Sequence, residues 1–317
     1  MCANYNKNFR LSFFSLKNIK NSCDSRLFCL ILQRPSIMQP EQRQMIQENG
    51  NNLRRRWLTI RVSRNTLSFS TIDFIKEGEC PITYEPYVVK SGISMAANLR
   101  EALRDAELPT MNFTKVRVMA DAPVLMVPVE LFQESTMAQL YHHSFPKNEP
   151  CTVLHNVLPD LNTVACFAIS RDLKTVIDDH FKNTQFITLL SPVWRHLYQR
   201  SFTGARNKLY GYFHDQKVDI FAFQQSRFKF SNQFDVHRAH DALYFLLYVW
   251  KQLNLQQEHD ELHLVGDIPE REWLIEQLKR YLQKVYIINP TADFNRAPAT
   301  QIKNMPYDLM TLFTKGR

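Results

Sequence analysis

The sequence predicts an α/β protein built from two similar halves, and three observations support this fold class. From Trp57 onward, short runs with the two-residue period of strands alternate with longer runs that have the period of helices. The order of these runs, β-β-β-α-β-α-β, occurs twice. A short sequence echo lies at matching positions of the two copies, because 116–123 and 262–269 each end a strand in a small residue, then aspartate, an apolar residue and proline.

The first copy begins with a predicted hairpin. Apolar and polar residues alternate over 58–62 and again over 67–71, and residues 64–65 form the turn between these strands. The other predicted elements follow in order: an extended run over 81–89, a helix over 94–107 with Ser94 as its N-cap, a strand over 114–119, a helix-like stretch over 129–141, a strand hairpin over 152–158 and 163–169, a helix over 171–182, a strand over 185–190, and a helix from Pro192 to 202.

The second copy repeats this order without the added hairpin. Its predicted elements are strands over 207–214, 217–224 and 227–231, a helix over 236–253, a strand over 261–265, a helix over 269–283 and a strand over 284–288. The tail over 306–313 is a short amphipathic segment, which we expect to fold back onto one half. The alternative is that the tail presents Leu309, Leu312 and Phe313 to another protein.

The positive charge of the chain is concentrated in a leader. Residues 1–56 contain ten of the 39 Lys and Arg residues but three of the 31 Asp and Glu residues, so the net charge of +8 lies mostly outside the predicted halves. The predicted segments are a disordered basic leader over 1–56, a first half with the inserted hairpin over 57–203, a second half over 204–290, and a C-terminal loop with a short docking helix over 291–317. An alternative for the residues before Met38 is a mis-assigned start.

Several residue types fail to make a recognisable site. The leader's apolar run over 27–32 is too short to cross a bilayer, which takes ~20 residues, and no cysteine pair has Cys-x-x-Cys spacing. His237 and His240 have metal-ligand spacing on a helix but no third ligand, and residues 178–180 fit an exposed helix face better than an acid–base cluster. The sequence therefore predicts a cytoplasmic protein with no membrane span, no catalytic residue and no metal ligand.

Two halves with this element order resemble the actin-like ATPase superfamily, in which each half has a ribonuclease-H-like core and the halves flank a nucleotide cleft. Residues 57–290 also resemble an uncharacterised bacterial family, typical of Bacteroidetes, that shares this fold and has no assigned activity. The resemblance rests on element order and general sequence style rather than on a diagnostic motif. It implies duplicated ribonuclease-H-like halves, with mixed sheets flanked by helices.

The resemblance also implies phosphate contacts at two hairpin turns of the Asp-x-Gly type. There, glycine lets backbone amides approach phosphate, and aspartate organises Mg²⁺ or water. The matching turns over 63–66 and 214–217 contain no glycine, and the turn over 265–267 keeps one glycine of the pair that normally contacts adenosine. The residues that would bind a nucleotide, if one binds, are Arg64, Asn65, Asp215, Lys217, Gly266 and Asp267.

Three functions remain open at this level. The sequence favours a catalytically silent actin-like protein that acts as an interaction or scaffold module, with another protein as its partner and no cofactor. The alternative is an atypical nucleotide-binding protein or ATPase that uses ATP and Mg²⁺ in the cleft between the halves. The third is nucleic-acid binding through the leader and residues 54–56, which predicts steep salt dependence that vanishes when 1–56 are removed.

Overall fold

The computed structural model describes residues 56–74, 80–105, 108, 111–146, 149–202, 206–224 and 227–314. All of them lie in one unit, Glu48–Arg317. The predictions made for the leader, including disorder and the alternative start at Met38, lie outside the described residues apart from Arg56. None of the described helices is both long enough and apolar enough to cross a membrane.

Strands and helices follow one another through the described residues. The strands are β1 Arg56–Val62, β2 Leu67–Asp73, β3 Ile82–Tyr87, β4 Lys115–Ala120, β5 Val124–Pro128, β6 Cys151–Leu158, β7 Thr163–Ser170, β8 Thr184–Thr188, β9 Lys208–His214, β10 Lys217–Gln224, β11 Arg227–Asp235, β12 Glu261–Gly266 and β13 Val285–Ile287. The helices are α1 Met95–Asp105, α2 Glu134–Ser144, α3 Arg171–His180, α4 Ser191–Ser201, α5 Ala239–Gln252, α6 Arg271–Tyr281, α7 Pro290–Asp293 and α8 Tyr307–Thr314.

Two five-stranded sheets have the same topology. The first has the order β3-β2-β1-β4-β8 and the second the order β11-β10-β9-β12-β13. In each, the first three strands in the chain are antiparallel and the last two run parallel to the first. The parallel strands require helical crossovers, which the chain supplies as α1 and α3 in the first sheet and as α5 and α6 in the second. The duplicated mixed-sheet fold is confirmed.

Each sheet buries one face against its own crossover helices. In the first sheet, side chains such as Leu58, Ile60 and Val118 pack with residues of α1 and α3. In the second, Leu209, Ile220 and Leu262 do the same with residues of α5 and α6. The alternation of apolar residues along β1 that predicted a strand is the pattern that places Leu58 and Ile60 on this face.

The other face of each sheet is covered by an element from elsewhere in the chain. Helix α4 lies on the second sheet, where Trp194 and Leu197 share a core with Tyr210 and Phe221. The C-terminal segment lies on the first sheet, where Leu309 shares a core with residues of β4 and β8. Leu309 is fully buried, so α8 packs into the fold, and it packs where both halves meet rather than at the edge of one.

The inserted region of the first half was predicted incorrectly. Residues 124–128 form strand β5, which pairs with β7 and turns the predicted hairpin into a three-stranded sheet of order β5-β7-β6. The helix expected over 129–141 is a short 3₁₀ turn, Val129–Leu131, followed by α2, Glu134–Ser144. The apolar run over 124–127 shows no period-two alternation, so its strand character was not visible.

Other boundaries agree more closely. The Ser94 hydroxyl accepts a hydrogen bond from the backbone N–H of Ala97 at 3.2 Å, as expected of an N-cap. Strand β11 continues four residues beyond its predicted end at Ser231, to Asp235. The division of the chain at residues 203 and 290 stays a prediction.

Candidate functional site

The two hairpin turns that would hold phosphates lie against each other and are joined by side chains. In the first turn, the backbone N–H of Ser63 donates to the carbonyl oxygen of Thr66 at 2.9 Å. In the second, Asp215 and Gln216 form a two-residue loop between β9 and β10. The hydroxyl of Thr66 donates to Oδ1 of Asp215 at 2.9 Å. A contact between the two halves therefore occupies the position at which the resemblance implies that polyphosphate binds.

The second turn corrects one expectation about glycine. Asp215 and Gln216 both have positive φ, 47° and 60°, which is the type I′ conformation that usually selects Asn-Gly. The backbone thus reaches the left-handed region without glycine, since aspartate tolerates it better than most residues. In this turn the carboxylate of Asp215 accepts hydrogen bonds from Thr66 and Arg61 of the first half.

Arg61 connects the two sheets and the C-terminal helix. Its Nε donates to both carboxylate oxygens of Asp308 at 3.1 and 3.0 Å. Its Nη1 donates to Thr66 at 2.8 Å and its Nη2 to Asp215 at 2.8 Å. The hydroxyl of Tyr212 donates to the same Asp308 at 2.7 Å. Because β1, β9 and α8 supply these groups, the guanidinium ties three separate parts of the chain together.

Burial and the neighbouring carboxylates act in opposite directions on the pKa of Arg61. The side chains of Arg61 and Asp308 are 3% and 0% exposed. Burial alone would lower the pKa of Arg61, but the charges of Asp308 and Asp215 outweigh it and raise that pKa well above its ordinary value. A buried guanidinium with two carboxylate partners and a hydroxyl has most of its donors satisfied.

Asp121 forms a second link between the halves. It lies directly after β4, and its carboxylate accepts from the hydroxyl of Ser63 at 2.6 Å, from Nζ of Lys217 at 2.7 Å and from the amide of Gln233 at 3.0 Å. Burial would raise the pKa of Asp121, but the charges of His214 and Lys217 lower it. Lys217, predicted as a nucleotide contact, therefore neutralises a carboxylate of the opposite half.

His214 lies between two carboxylates of its own hairpin. Its Nδ1 is 3.0 Å from Oδ2 of Asp215, and its Nε2 is 2.6 Å from Oδ2 of Asp219. Burial alone lowers the pKa of His214, but hydrogen bonds to Asp215 and Asp219 raise it to about 10. The pKa of Asp215 is held well below its usual range, since hydrogen bonding to His214 and the charge of Arg61 outweigh its burial. The imidazole is therefore charged at neutral pH.

These side chains form what we call the ion-pair cluster: Arg61, Asp121, His214, Asp215, Lys217, Asp219 and Asp308. Asp121, His214 and Asp215 offer atoms within 4.8 Å of one another, which is close enough for a metal ion. The donor set does not fit a resident metal, because Lys217 and Arg61 already bind the two carboxylates and a ligating His214 would have to lose its proton. The cluster instead satisfies its own charges.

The structure places the six residues predicted to contact a nucleotide in three settings. Arg64 is exposed and 3.5 Å from Asp235, and Asn65 is exposed beside it. Asp215 and Lys217 belong to the ion-pair cluster. Asp215, Gly266 and Asp267 line one cavity of 570 Å³ at the carboxyl ends of β9, β12 and β13, together with Arg61, His214, Arg271, Asn289 and Tyr307.

Gly266 and Asp267 occupy the position that the sequence echo indicated. The backbone N–H of Asp267 donates to the carbonyl of Phe213 at 3.0 Å, and that of Asp121 donates to the carbonyl of Val62 at 2.9 Å. The two aspartates therefore follow equivalent strands in equivalent ways. Burial, followed by the charge of Asp215, raises the pKa of Asp267.

Sequence reasoning missed five residues as members of a site: Arg61, Asp121, His214, Asp219 and Asp308. A usable signal was present for three of them. Arg61 is a charged residue within the strand over 58–62, Asp219 interrupts the apolar run over 218–223, and Asp308 interrupts an apolar tail. A charged residue inside a buried element must find a partner, but the sequence alone does not say which residues pair.

Solved structures of other proteins are similar to this chain in fold. A Bacteroides thetaiotaomicron protein with an actin-like ATPase fold and unknown function matches with 28% identity and a TM-score of 0.70, over 80% of this chain and 98% of that one. The PilM–PilN type IV pilus biogenesis complex matches with 11% identity and a TM-score of 0.50, over 81% of this chain and 96% of that one, which shows likeness of fold alone.

The fold is therefore the actin-like ATPase fold. Among curated proteins, none matches the sequence significantly. A family model described as "Protein of unknown function" matches residues 47–285, and the chain belongs to this family, DUF3822.

Proposed function

We propose that this chain is a catalytically silent actin-like protein that acts in the cytoplasm as an interaction or scaffold module. The observation that carries the proposal is the ion-pair cluster, which lies between the two hairpin turns. Where an actin-like ATPase holds phosphates between its halves, this chain holds Arg61, Asp215 and Asp308 in contact with one another. A fold that keeps its cleft closed with its own side chains is suited to presenting surfaces rather than to cycling with a ligand.

The electrostatics of the cluster support the same proposal. It contains three cationic side chains and four carboxylates, so it offers no net positive charge to a polyphosphate. Entry of ATP between the turns would separate Arg61 from two buried carboxylates. Breaking a buried pair costs on the order of 3–5 kcal/mol, and each freed carboxylate would then face the incoming phosphates.

The proposed partner is another protein. One protein with the same fold is part of a pilus biogenesis complex, which shows that an actin-like fold can work within a protein assembly. Pull-down with the native host lysate should retain a specific partner. Repeated failure to retain one would count against the interaction function.

Calorimetry with ATP and Mg²⁺ tests whether the cleft between the halves binds a nucleotide. We expect no binding heat with the wild-type chain, and no release of phosphate in a parallel hydrolysis assay. The same titration with adenosine separates occupation of the 570 Å³ cavity from occupation of the phosphate position. Clear micromolar binding of ATP would overturn the proposal.

The second candidate is an atypical nucleotide-binding protein or ATPase, favoured by this cavity beside Gly266 and Asp267. Its contacts would be Arg64, Asn65, Asp215, Lys217, Gly266 and Asp267, with ATP and Mg²⁺ as ligands. It predicts that ATP binds and that Arg271→Gln, a change at the wall of the cavity, weakens that binding.

A further inference from the structure

A second cavity lies on the first sheet, away from the ion-pair cluster. It has a volume of 870 Å³ and is bounded by the amino-terminal ends of β1 and β4, by α4 and by the C-terminal segment. We call it the basic groove and define it by six of its lining residues: Trp57, Phe74, Lys115, Arg117, Arg195 and Phe313. It opens on the face of the sheet opposite α1 and α3, because Val116 and Val118 of β4 point to those helices.

The charge of the groove is of one sign. Lys115, Arg117 and Arg195 line it, and no carboxylate does among the residues that the structure describes. Arg195 is paired at the rim with Asp160, at 2.8 Å. Lys115 has an aromatic neighbour instead, since its Nζ lies 4.9 Å from the centre of the Trp57 ring. Arg117 has a long hydrogen bond to the side-chain oxygen of Gln185, at 3.4 Å, as its one side-chain partner among the described residues.

Lys115 and Arg117 are partly buried cations with no counter-ion in the described part of the chain. Burial lowers the pKa of Lys115, and the neighbouring charge of Arg117 lowers it further. Burial also lowers the pKa of Arg117. Two like charges at alternate positions of one strand repel each other and lose hydration. Met119, two residues further along the same strand, belongs to the core with the C-terminal segment, so the fold does not require charge on this face.

We propose that the basic groove binds an extended acidic peptide segment of a partner protein. Lys115 and Arg117 are two residues apart on a strand, which separates them by about 7 Å. Two carboxylates with one residue between them on an extended peptide have the same spacing, so each would meet one cation. An aromatic or aliphatic side chain beside this acidic pair packs against Trp57, Phe74 and Phe313.

The chemistry of the groove favours a peptide over nucleic acid. Much of its wall is apolar, including Ile72, Pro192 and Leu312, and three cations line it among the residues that the structure describes. Binding of a phosphate backbone relies on a row of cations along a groove that tracks the strand. Outside the leader the positive and negative residues of the chain nearly balance, so the folded part carries little net positive charge to attract a polyanion.

This proposal rests on the interaction function proposed above and assigns its partner chemistry, but its site is separate from the cleft. A library of random 12-residue peptides displayed on phage and selected on the full chain tests it. Counter-selection uses the double variant Lys115→Gln with Arg117→Gln. We expect the enriched peptides to carry two acidic residues separated by one residue, beside an aromatic or aliphatic residue.

A fluorescein-labelled copy of the best peptide then gives affinities by anisotropy. The double variant should bind at least tenfold more weakly, and binding should weaken with salt. Arg104→Gln is the matched control, because Arg104 is 74% exposed on α1, on the opposite face of the sheet, and its removal should leave the affinity unchanged. Urea unfolding of the double variant should show no loss of stability, since the two charges have no carboxylate partner among the residues that the structure describes.

Four outcomes would overturn the proposal: no enrichment, enriched peptides without the acidic pair, equal binding by the double variant, or a destabilised double variant. A single-stranded RNA 20-mer or vesicles with phosphatidylserine that bind through Lys115 and Arg117, in place of peptides, would also overturn it. A protein partner recovered by pull-down that binds the double variant normally would defeat the groove assignment alone. ATP binding in the cleft would contradict the proposed catalytically silent function and would leave the groove assignment unaffected.

Discussion

Arg61 shows how one residue changes the character of an inherited cleft. It occupies β1 between apolar neighbours, where its long side chain reaches the second half and α8 at the same time. Buried ion pairs contribute little net stability compared with apolar packing, yet removing one partner is costly. The value of such a residue is therefore in fixing one arrangement of the halves, which is a property that an interaction module uses.

Asp308→Asn tests this dependence. The substituted amide would keep the shape of the side chain but remove the charge that pairs with Arg61, which would retain Asp215 and Thr66. We expect the free energy of unfolding to fall by about 3 kcal/mol, the lower end for a broken buried pair, as measured by urea denaturation. Glu276→Gln is the control, because Glu276 and Arg280 are 67% and 61% exposed, and it should change stability by less than about 0.5 kcal/mol.

His214 gives the protein a pH dependence at alkaline pH. Its pKa is raised to about 10 in the folded chain by Asp215 and Asp219, against about 6.5 when unfolded. Between these values the folded state binds the extra proton, so the stabilisation is complete below about pH 6.5 and is lost as the pH rises toward 10. The slope is up to about 1.4 kcal/mol per pH unit.

Denaturation of wild type and His214→Gln from pH 6 to pH 10 isolates this contribution. The difference in unfolding free energy between the two proteins should shrink as the pH rises, because the variant lacks the titrating imidazole. A difference that stays constant or grows with pH would show that His214 is not held in its charged form.

At the scale of elements, the β9–β10 turn and the end of β12 differ in whether their backbone conformation requires glycine. The β9–β10 turn adopts left-handed backbone without glycine, whereas Gly266 at the end of β12 has φ of 98°. A Cβ at Gly266 would lie 2.0 Å from the carbonyl oxygen of Phe213. Glycine is therefore required at the strand end and not at the hairpin.

Gly266→Ala should be strongly destabilising. The alanine would be strained at this φ, and its Cβ would collide with backbone that cannot rotate away. We expect a loss of about 3 kcal/mol or more, measured by chemical denaturation. Gly92→Ala is the matched control, because nothing lies within 4 Å of a Cβ there, and it should change stability by less than about 1 kcal/mol. Equal losses in the two variants would contradict this account.

The elements that could be predicted are those whose apolar pattern is local. Alternation along β1 and the long, mostly apolar run of α5 identified these two elements directly, and the repeated order then gave the fold. Strand β5 was missed because its run has no alternation, and β11 was cut short at Ser231, four residues before its end. The ion-pair cluster was missed for a different reason, because residues that meet there are far apart in the sequence. Thr66 and Asp215 are 149 residues apart, and Arg61 and Asp308 are 247 residues apart.

On the scale of the whole molecule, one face of each sheet is covered by a segment that follows the other sheet in the chain. Helix α4 follows the first sheet in the chain but packs on the second. The C-terminal segment follows the second sheet, and its Leu309 packs on the first sheet while its Tyr307 shares the core on the second. Neither sheet can therefore lose its neighbour without exposing a core face. The sequence could not show this exchange, because an apolar helix face does not identify the surface that covers it.

The exchange predicts that the halves unfold together. Leu262→Ala removes a fully buried side chain from the core between the second sheet and helices α5 and α6. It should lower the free energy of unfolding by about 2–5 kcal/mol. In native-state hydrogen exchange, the slowest amides of β1 and β4 should lose as much protection as those of β9 and β12, since their exchange requires the same global opening. Leu58→Ala, its counterpart in the first sheet's core, should act equally on β9 and β12. Loss of protection confined to the mutated sheet would mean that each half opens alone, and that Arg61, Asp308 and the exchanged helices do not hold the cleft closed.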